Sequence, residues 1–216
     1  MTRLAAARRR CLELAALALP LLAVLPAQAV DFAPPTPGHR FEYACNSNIP
    51  NPINPARTAE IQIKQIDAGM VTYATMINGS PRMEIRQPLS LYGTSLADQI
   101  TTRLGVSHMV SGLDKFPSLH DLEIGASYEG KVEWVNERGK HVTYDVTLAV
   151  SEETKYRSDP FGYIPVILLE ETWTGPRTHV TSKTYISPER SAVVAWENKM
   201  GTYGIEQCWL TRVSPQ

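Results

Sequence analysis

Through most of the chain the hydrophobic residues recur at every second position. Residues 40–44 alternate, and residues 59–66 set Ile61 and Ile63 on one face against Gln62 and Lys64 on the other, the period of a half-buried strand. Residues 71–77 and 82–86 continue the pattern. Between them lies Asn78-Gly79, a pair that tolerates positive φ at both centres of a type I′ hairpin turn. After one interruption the period of two returns at residue 127. It holds through 127–135, 141–152, 163–173, 178–187, 192–198 and 203–213, with Gly175-Pro176, Ser187-Pro188 and Met200-Gly201 as breakers. About nine strands at hairpin spacing predict a mainly β fold, a curved antiparallel sheet or a partly open β-barrel that curls to bury one face.

The interruption is predicted to hold one short helix packed on that sheet. Over residues 96–104, Leu96, Ile100, Arg103 and Leu104 fall at helical spacing, Thr94 or Ser95 stands ready as a cap, and Gly105 follows as a stop. Residues 30–39 are proline-rich and read as an extended arm. Residues 46–55 hold three Pro and four Asn, the composition of an irregular loop after the first strand.

The N-terminus has a different pattern. Arg3, Arg8, Arg9 and Arg10 precede an apolar run over residues 14–25, closed by Pro26-Ala27-Gln28-Ala29. A basic start, an apolar stretch and a small-x-small site are the three parts of a secretory signal peptide. A spanning helix wants roughly 20 apolar residues, so residues 1–29 are expected to be cleaved after Ala29, leaving residues 30–216 as one β-rich domain in the periplasm or outside the cell. Val30 follows the cleavage site where a lipoprotein would carry cysteine. Losing four Arg and one Glu with the signal takes the formal charge from −1 to −4. That balance gives no reason to expect nucleic acid or an anionic membrane as partner.

Export also changes the reading of the cysteines. Cys11 lies in the removed segment, and Cys45 and Cys208 remain without metal-ligand spacing. In an oxidising compartment such a pair is most simply a disulfide, here tying the first strand to the last.

Two motifs carry a resemblance. Asp121-Leu122-Glu123-Ile124-Gly125-Ala126-Ser127-Tyr128 has the form Leu-x-x-Gly-x-x-aromatic, a turn that opens a long meander. Tyr185-Ile186-Ser187-Pro188-Glu189-Arg190-Ser191-Ala192-Val193-Val194 follows an aromatic-x-Ala/Ser-Pro-Glu-x-Gly-x-Val-Val corner, with Ser191 at the Gly position and Glu197 just beyond. Over residues 121–209 the chain resembles exported bacterial β-rich proteins with a domain of unknown function. The resemblance implies a periplasmic β-rich domain with no established chemistry.

No catalytic signature emerges from the residues themselves. Neither Gly-x-Ser-x-Gly nor Ser-x-x-Lys occurs in residues 30–216. His120-Asp121-x-Glu123 offers a ligand and carboxylates, but a metal site needs three or four convergent donors, and the nearest other histidine is His108. No metal or cofactor is therefore predicted. Glu170 and Glu171 point to opposite faces of one strand, so one of them faces inward if the sheet encloses a cavity. Trp134, Tyr144, Tyr163, Trp173, Tyr185 and Trp196 fall on strands and are the candidates to line a cavity for a lipid-like or glycan ligand.

These readings point to a non-enzymatic envelope protein, a binding or accessory module for an apolar or amphipathic ligand. One alternative is a structural or interaction protein of an envelope complex. A second is a hydrolase using Glu170 or the His120 loop.

Overall fold

The computed structural model describes residues 34–48, 56–201 and 204–215. The expected signal peptide (1–29), the start of the proline-rich arm and most of the loop at 46–55 lie outside these residues. Twelve antiparallel strands form a closed barrel: β1 (Arg40–Ser47), β2 (Ala56–Asp67), β3 (Met70–Ile77), β4 (Ser80–Pro88), β5 (Gln99–Thr102), β6 (Gly105–Ser111), β7 (Ser127–Val135), β8 (His141–Ser158), β9 (Gly162–Gly175), β10 (Thr178–Ser187), β11 (Ala192–Met200) and β12 (Ile205–Ser214). Each strand pairs with its sequence neighbours, and β1 returns to pair with β12. Closure leaves no free edge, which corrects the expectation of an open or partly open sheet.

The closing seam is covalent as well as hydrogen-bonded. Cys45 and Cys208 stand directly opposite each other in the β1–β12 register and are joined by a disulfide of 2.03 Å spanning 163 residues of sequence. In the chain-entropy account a loop of that length removes on the order of 5 kcal/mol from the unfolded ensemble.

The predicted helix is not formed. Residues 99–102 are instead strand β5, paired with β4 on one side and β6 on the other. Leu96, Ile100 and Leu104 have helical spacing, but they go to three different places: Leu96 is fully buried in a loop, Ile100 lies on the strand, and Leu104 is exposed at the β5–β6 turn. Ile100, Thr101 and Thr102 are β-branched and suit a pleated surface. Without β5 and β6, β4 and β7 would be left as unpaired edges.

Inside and outside follow the strand alternation. Phe41, Tyr43 and Cys45 on β1, Val146, Leu148 and Val150 on β8, and Cys208 and Leu210 on β12 are buried in one core. Residues of the opposite parity, such as Glu42, Lys131, Lys183 and Glu197, lie on the outer wall. A membrane-spanning barrel alternates the other way, apolar outward and polar inward. Among the described residues no helix is long and apolar enough to cross a membrane.

The two ends of the barrel differ. At one end the connections are mostly tight hairpins, including Asn78-Gly79, whose φ values of 49° and 72° match the expected I′ geometry. At the other end the two longest described connections fold into the lumen. Residues 89–98 bury Leu91, Tyr92 and Leu96, and residues 112–126 bury Phe116, Leu119 and Leu122. The β8–β9 hairpin also overruns its neighbours there. It forms a second cluster in which Ile164 and Val166 pack with Val194, and Ser158 Oγ donates to the Leu210 carbonyl at 3.2 Å.

Replacing both Cys45 and Cys208 by Ser is expected to lower the unfolding free energy by about 2–5 kcal/mol in urea titration, with the barrel still formed. Ser191, in the β10–β11 turn, is held at φ 50°, a left-handed conformation that costs an L-residue more than glycine. Ser191→Gly should therefore raise the same free energy by about 0.5–1 kcal/mol.

Candidate functional site

Between the inturned segments and the hairpin end the barrel is not filled. A cavity of about 660 Å³ lies against β2–β5 and β10–β12, within the range of small-molecule sites. Its wall residues come from the strand halves nearest the hairpin turns, among them Arg57, Ile77, Arg82, Asn198 and Glu206, while Tyr92, Gly93, Thr94, Ser95 and Ala97 of the inturned loop form the base. Among the described residues the cavity is thus a cup with its mouth at the hairpin end. Ile61, Ile77, Ile85, Ile100 and Trp196 make the apolar part of the wall, and Thr75, Ser182 and Thr184 add hydroxyls.

The base is fastened by buried polar groups. Gln87, fully buried at the end of β4, accepts from Tyr73 Oη at 2.7 Å and donates Nε2–H to the Leu91 carbonyl at 2.6 Å. Thr94 Oγ1 donates to the same carbonyl at 2.7 Å and accepts the Leu96 N–H at 3.1 Å. Gly93 takes φ 93°, a conformation L side chains rarely adopt, and a Cβ there would come within 2.7 Å of the Ile186 Cδ1 tip, so glycine suits the loop's close approach to β10.

The far anchor is Glu171 on β9. It is 1% exposed, and its two carboxylate oxygens accept the Ser95 N–H at 3.1 and 2.8 Å and Ser95 Oγ–H at 2.9 Å. Burial pushes its pKa up to about 7, only partly offset by the Ser95 donors. Ser95, which the sequence offered as a helix cap, caps a buried carboxylate instead. On β10 the residue opposite Glu171 is Ser182, a wall residue whose Oγ donates to Asn198 Oδ1 at 2.6 Å.

At the mouth the register aligns one row of lumen residues: Arg57 on β2, Cys45, Cys208, and Trp196 on β11. Tyr43 stacks edge-on against Trp196 at 4.6 Å and donates Oη–H to the Val193 carbonyl at 2.9 Å. Arg57 is ion-paired with Glu206. Cys45, Glu206 and Cys208 bring three potential donor atoms within 4.8 Å, but both sulfurs are spent in the disulfide, so they are no thiolate pair for a metal.

Of the six aromatic residues put forward from the sequence, Trp196 lines the cavity and five do not. Trp134, Tyr144 and Trp173 face the lumen but pack against the core on the β7–β9 side, with Tyr144 and Trp173 ring to ring at 5.7 Å. They fill the part of the hairpin end that the cavity leaves. Tyr163 is 69% exposed. Tyr185 lies on the outer wall against Tyr156 at 5.0 Å, in the second cluster.

Glu170 also lies outside. Its carboxylate holds Lys183 Nζ at 2.8 Å and Ser151 Oγ at 2.8 Å, and those bonds keep its pKa below the ordinary value. The inward acid is Glu171, whose parity with the apolar Leu169 and Trp173 was the available signal. The side chain of His120 lies outside the described residues, although its backbone belongs to a single 3₁₀ turn, Leu119–Asp121. Arg57, Arg82 and Glu206 were not singled out from the sequence, because nothing in their neighbours marks them as mouth residues until the barrel closes.

No sequence family and no curated protein sequence matches the chain. Among solved structures, the crystal structure of a hypothetical lipoprotein, YmcC, from Escherichia coli is similar with a TM-score of 0.48 at 9% identity, covering 84% of this chain and 91% of that one.

The raised pKa of Glu171 has a defined sign. Because the folded value lies above that of the unfolded chain, the group's stabilising contribution is complete below about pH 4.5 and is lost as pH rises through about 7. Glu171→Gln should remove a slope worth up to roughly 3 kcal/mol between those limits, read as the difference in urea unfolding free energy at pH 5 and pH 8. The amide oxygen still accepts from Ser95, so the base of the cavity should stay in place.

Proposed function

We propose that this protein is an exported envelope protein that acts as a binding module for an amphipathic small molecule, and not as an enzyme. The observation that carries the reading is the one-ended cavity. It has an apolar wall, a few hydroxyls, and a base held rigid by buried hydrogen bonds, the pattern of a site that orients a ligand with a few polar groups and gains its affinity from apolar area. The secretory pattern of residues 1–29 and the resemblance of residues 121–209 to exported β-rich proteins support the envelope location. A hydrolase built on Glu170 draws no support, since that carboxylate is outside the barrel and neutralised by Lys183.

Titration of purified protein with the neutral fluorophore N-phenylnaphthylamine tests the reading. Saturable binding with enhanced emission is expected, and Thr75→Trp, which places an indole in the cavity from the β3 wall, should weaken it by at least about tenfold while shifting the urea midpoint little, because the added volume enters empty space and does not overpack a core. Binding that survives this substitution unchanged would place the probe elsewhere and remove the basis of the proposal.

A further inference from the structure

The mouth of the cavity carries a charge pattern that its wall does not need for folding. Arg57 faces the lumen because it pairs with Cys45, whose sulfur is inside. Its guanidinium is bonded to Glu206, yet among the described residues its Nε–H is buried with no hydrogen-bond partner. Buried donors left unmade cost free energy, so one is a marker of a site that a ligand completes. Arg82 stands beside it at the β3–β4 bulge, where two residues of β4 oppose one step of β3. Bulges of this kind re-aim a side chain, and Arg82 lines the cavity. Among the described residues Arg82 has no carboxylate in ion-pair range.

The surrounding charges leave this excess uncompensated. Glu206 is taken by Arg57. Glu60 also lines the cavity, and its Oε1, buried with no hydrogen-bond partner among the described residues, meets Arg40 at 3.8 Å. Glu197, next to Trp196, points outward and holds Gln207. Desolvation, and then repulsion by Arg82, lowers the pKa of Arg57, a sign that the two guanidiniums feel each other. Among the described residues, one unpaired positive charge and one unmade donor therefore sit at the rim, above an apolar wall.

Resting on the binding-module reading, we infer that the ligand is a single-chain amphiphile with an anionic oxygen head group, a carboxylate or a phosphate. The head group sits between Arg57 and Arg82 and accepts the Arg57 Nε–H, and the alkyl chain runs down past Ile61, Ile85 and Trp196 toward Ser95. Guanidinium is suited to either anion because its planar donors match two oxygens at once. The partly desolvated setting makes such a contact stronger than it would be in water.

Calorimetry with four chain-matched probes tests this: decanoate, decyl phosphate, decanol and decyltrimethylammonium, each below its micelle concentration at pH 8. At least one anion should bind about tenfold or more tightly than decanol, and the cation should bind most weakly. Arg82→Gln should bring the anions to within a few-fold of decanol and leave decanol unchanged. Raising the salt concentration should narrow the gap in the native protein, a readout that does not depend on the variant. Equal binding of anion, alcohol and cation would overturn the head-group assignment while leaving the binding module standing, as would a preference untouched by Arg82→Gln. Binding of none of the four would overturn both.

Discussion

The structure depends on the seam between β1 and β12. Eleven of the twelve strand pairings join neighbours in sequence, but the twelfth must bring together the first and last strands. The conformational entropy of that closure is the largest single loop cost in the fold. The disulfide holds the seam where β1 and β12 cross the cavity wall, and the same register sets Arg57 and Trp196 on either side of it. The mouth of the cavity is thus positioned by the contact that closes the barrel, and its geometry inherits the rigidity of a covalent bond.

A twelve-stranded barrel is too wide for side chains from the strands to meet at its centre. The chain meets this by turning residues 89–98 and 112–126 inward at one end. The first of these carries polar backbone into the barrel interior, where each buried unpaired group would cost a few kcal/mol. Gln87, Thr94 and Glu171 meet that demand. Glu171 is the least expected, since a buried carboxylate is costly unless it is hydrogen-bonded or protonated. Here both hold in part: Ser95 supplies the donors, and burial brings the pKa close to neutrality.

Much of this was legible in the sequence wherever the signal was local. The strand alternation, the Asn78-Gly79 hairpin and the pairing of Cys45 with Cys208 all appear in the barrel as read. The failures came where a local pattern competed with closure. Leu96, Ile100 and Leu104 have helical spacing by accident, and the need to bridge β4 to β7 put two short strands there. The aromatic candidates failed for a related reason. Falling on strands does not say which face a residue shares, nor which sector of a wide lumen stays empty. Arg57 and Arg82 are ordinary residues in sequence and gain meaning only from the strands that close around them.

The asymmetry of the two ends gives the barrel a direction. Residues 34–39 run into β1 at the filled end, where the Gly38 N–H bonds to the Ile63 carbonyl at 2.8 Å, and the last strand finishes beside it. Residues 34–39 and the end of β12 therefore lie on the side away from the opening. A surface or partner that held the molecule at this filled end would leave the opposite end, with the cup, facing away from it.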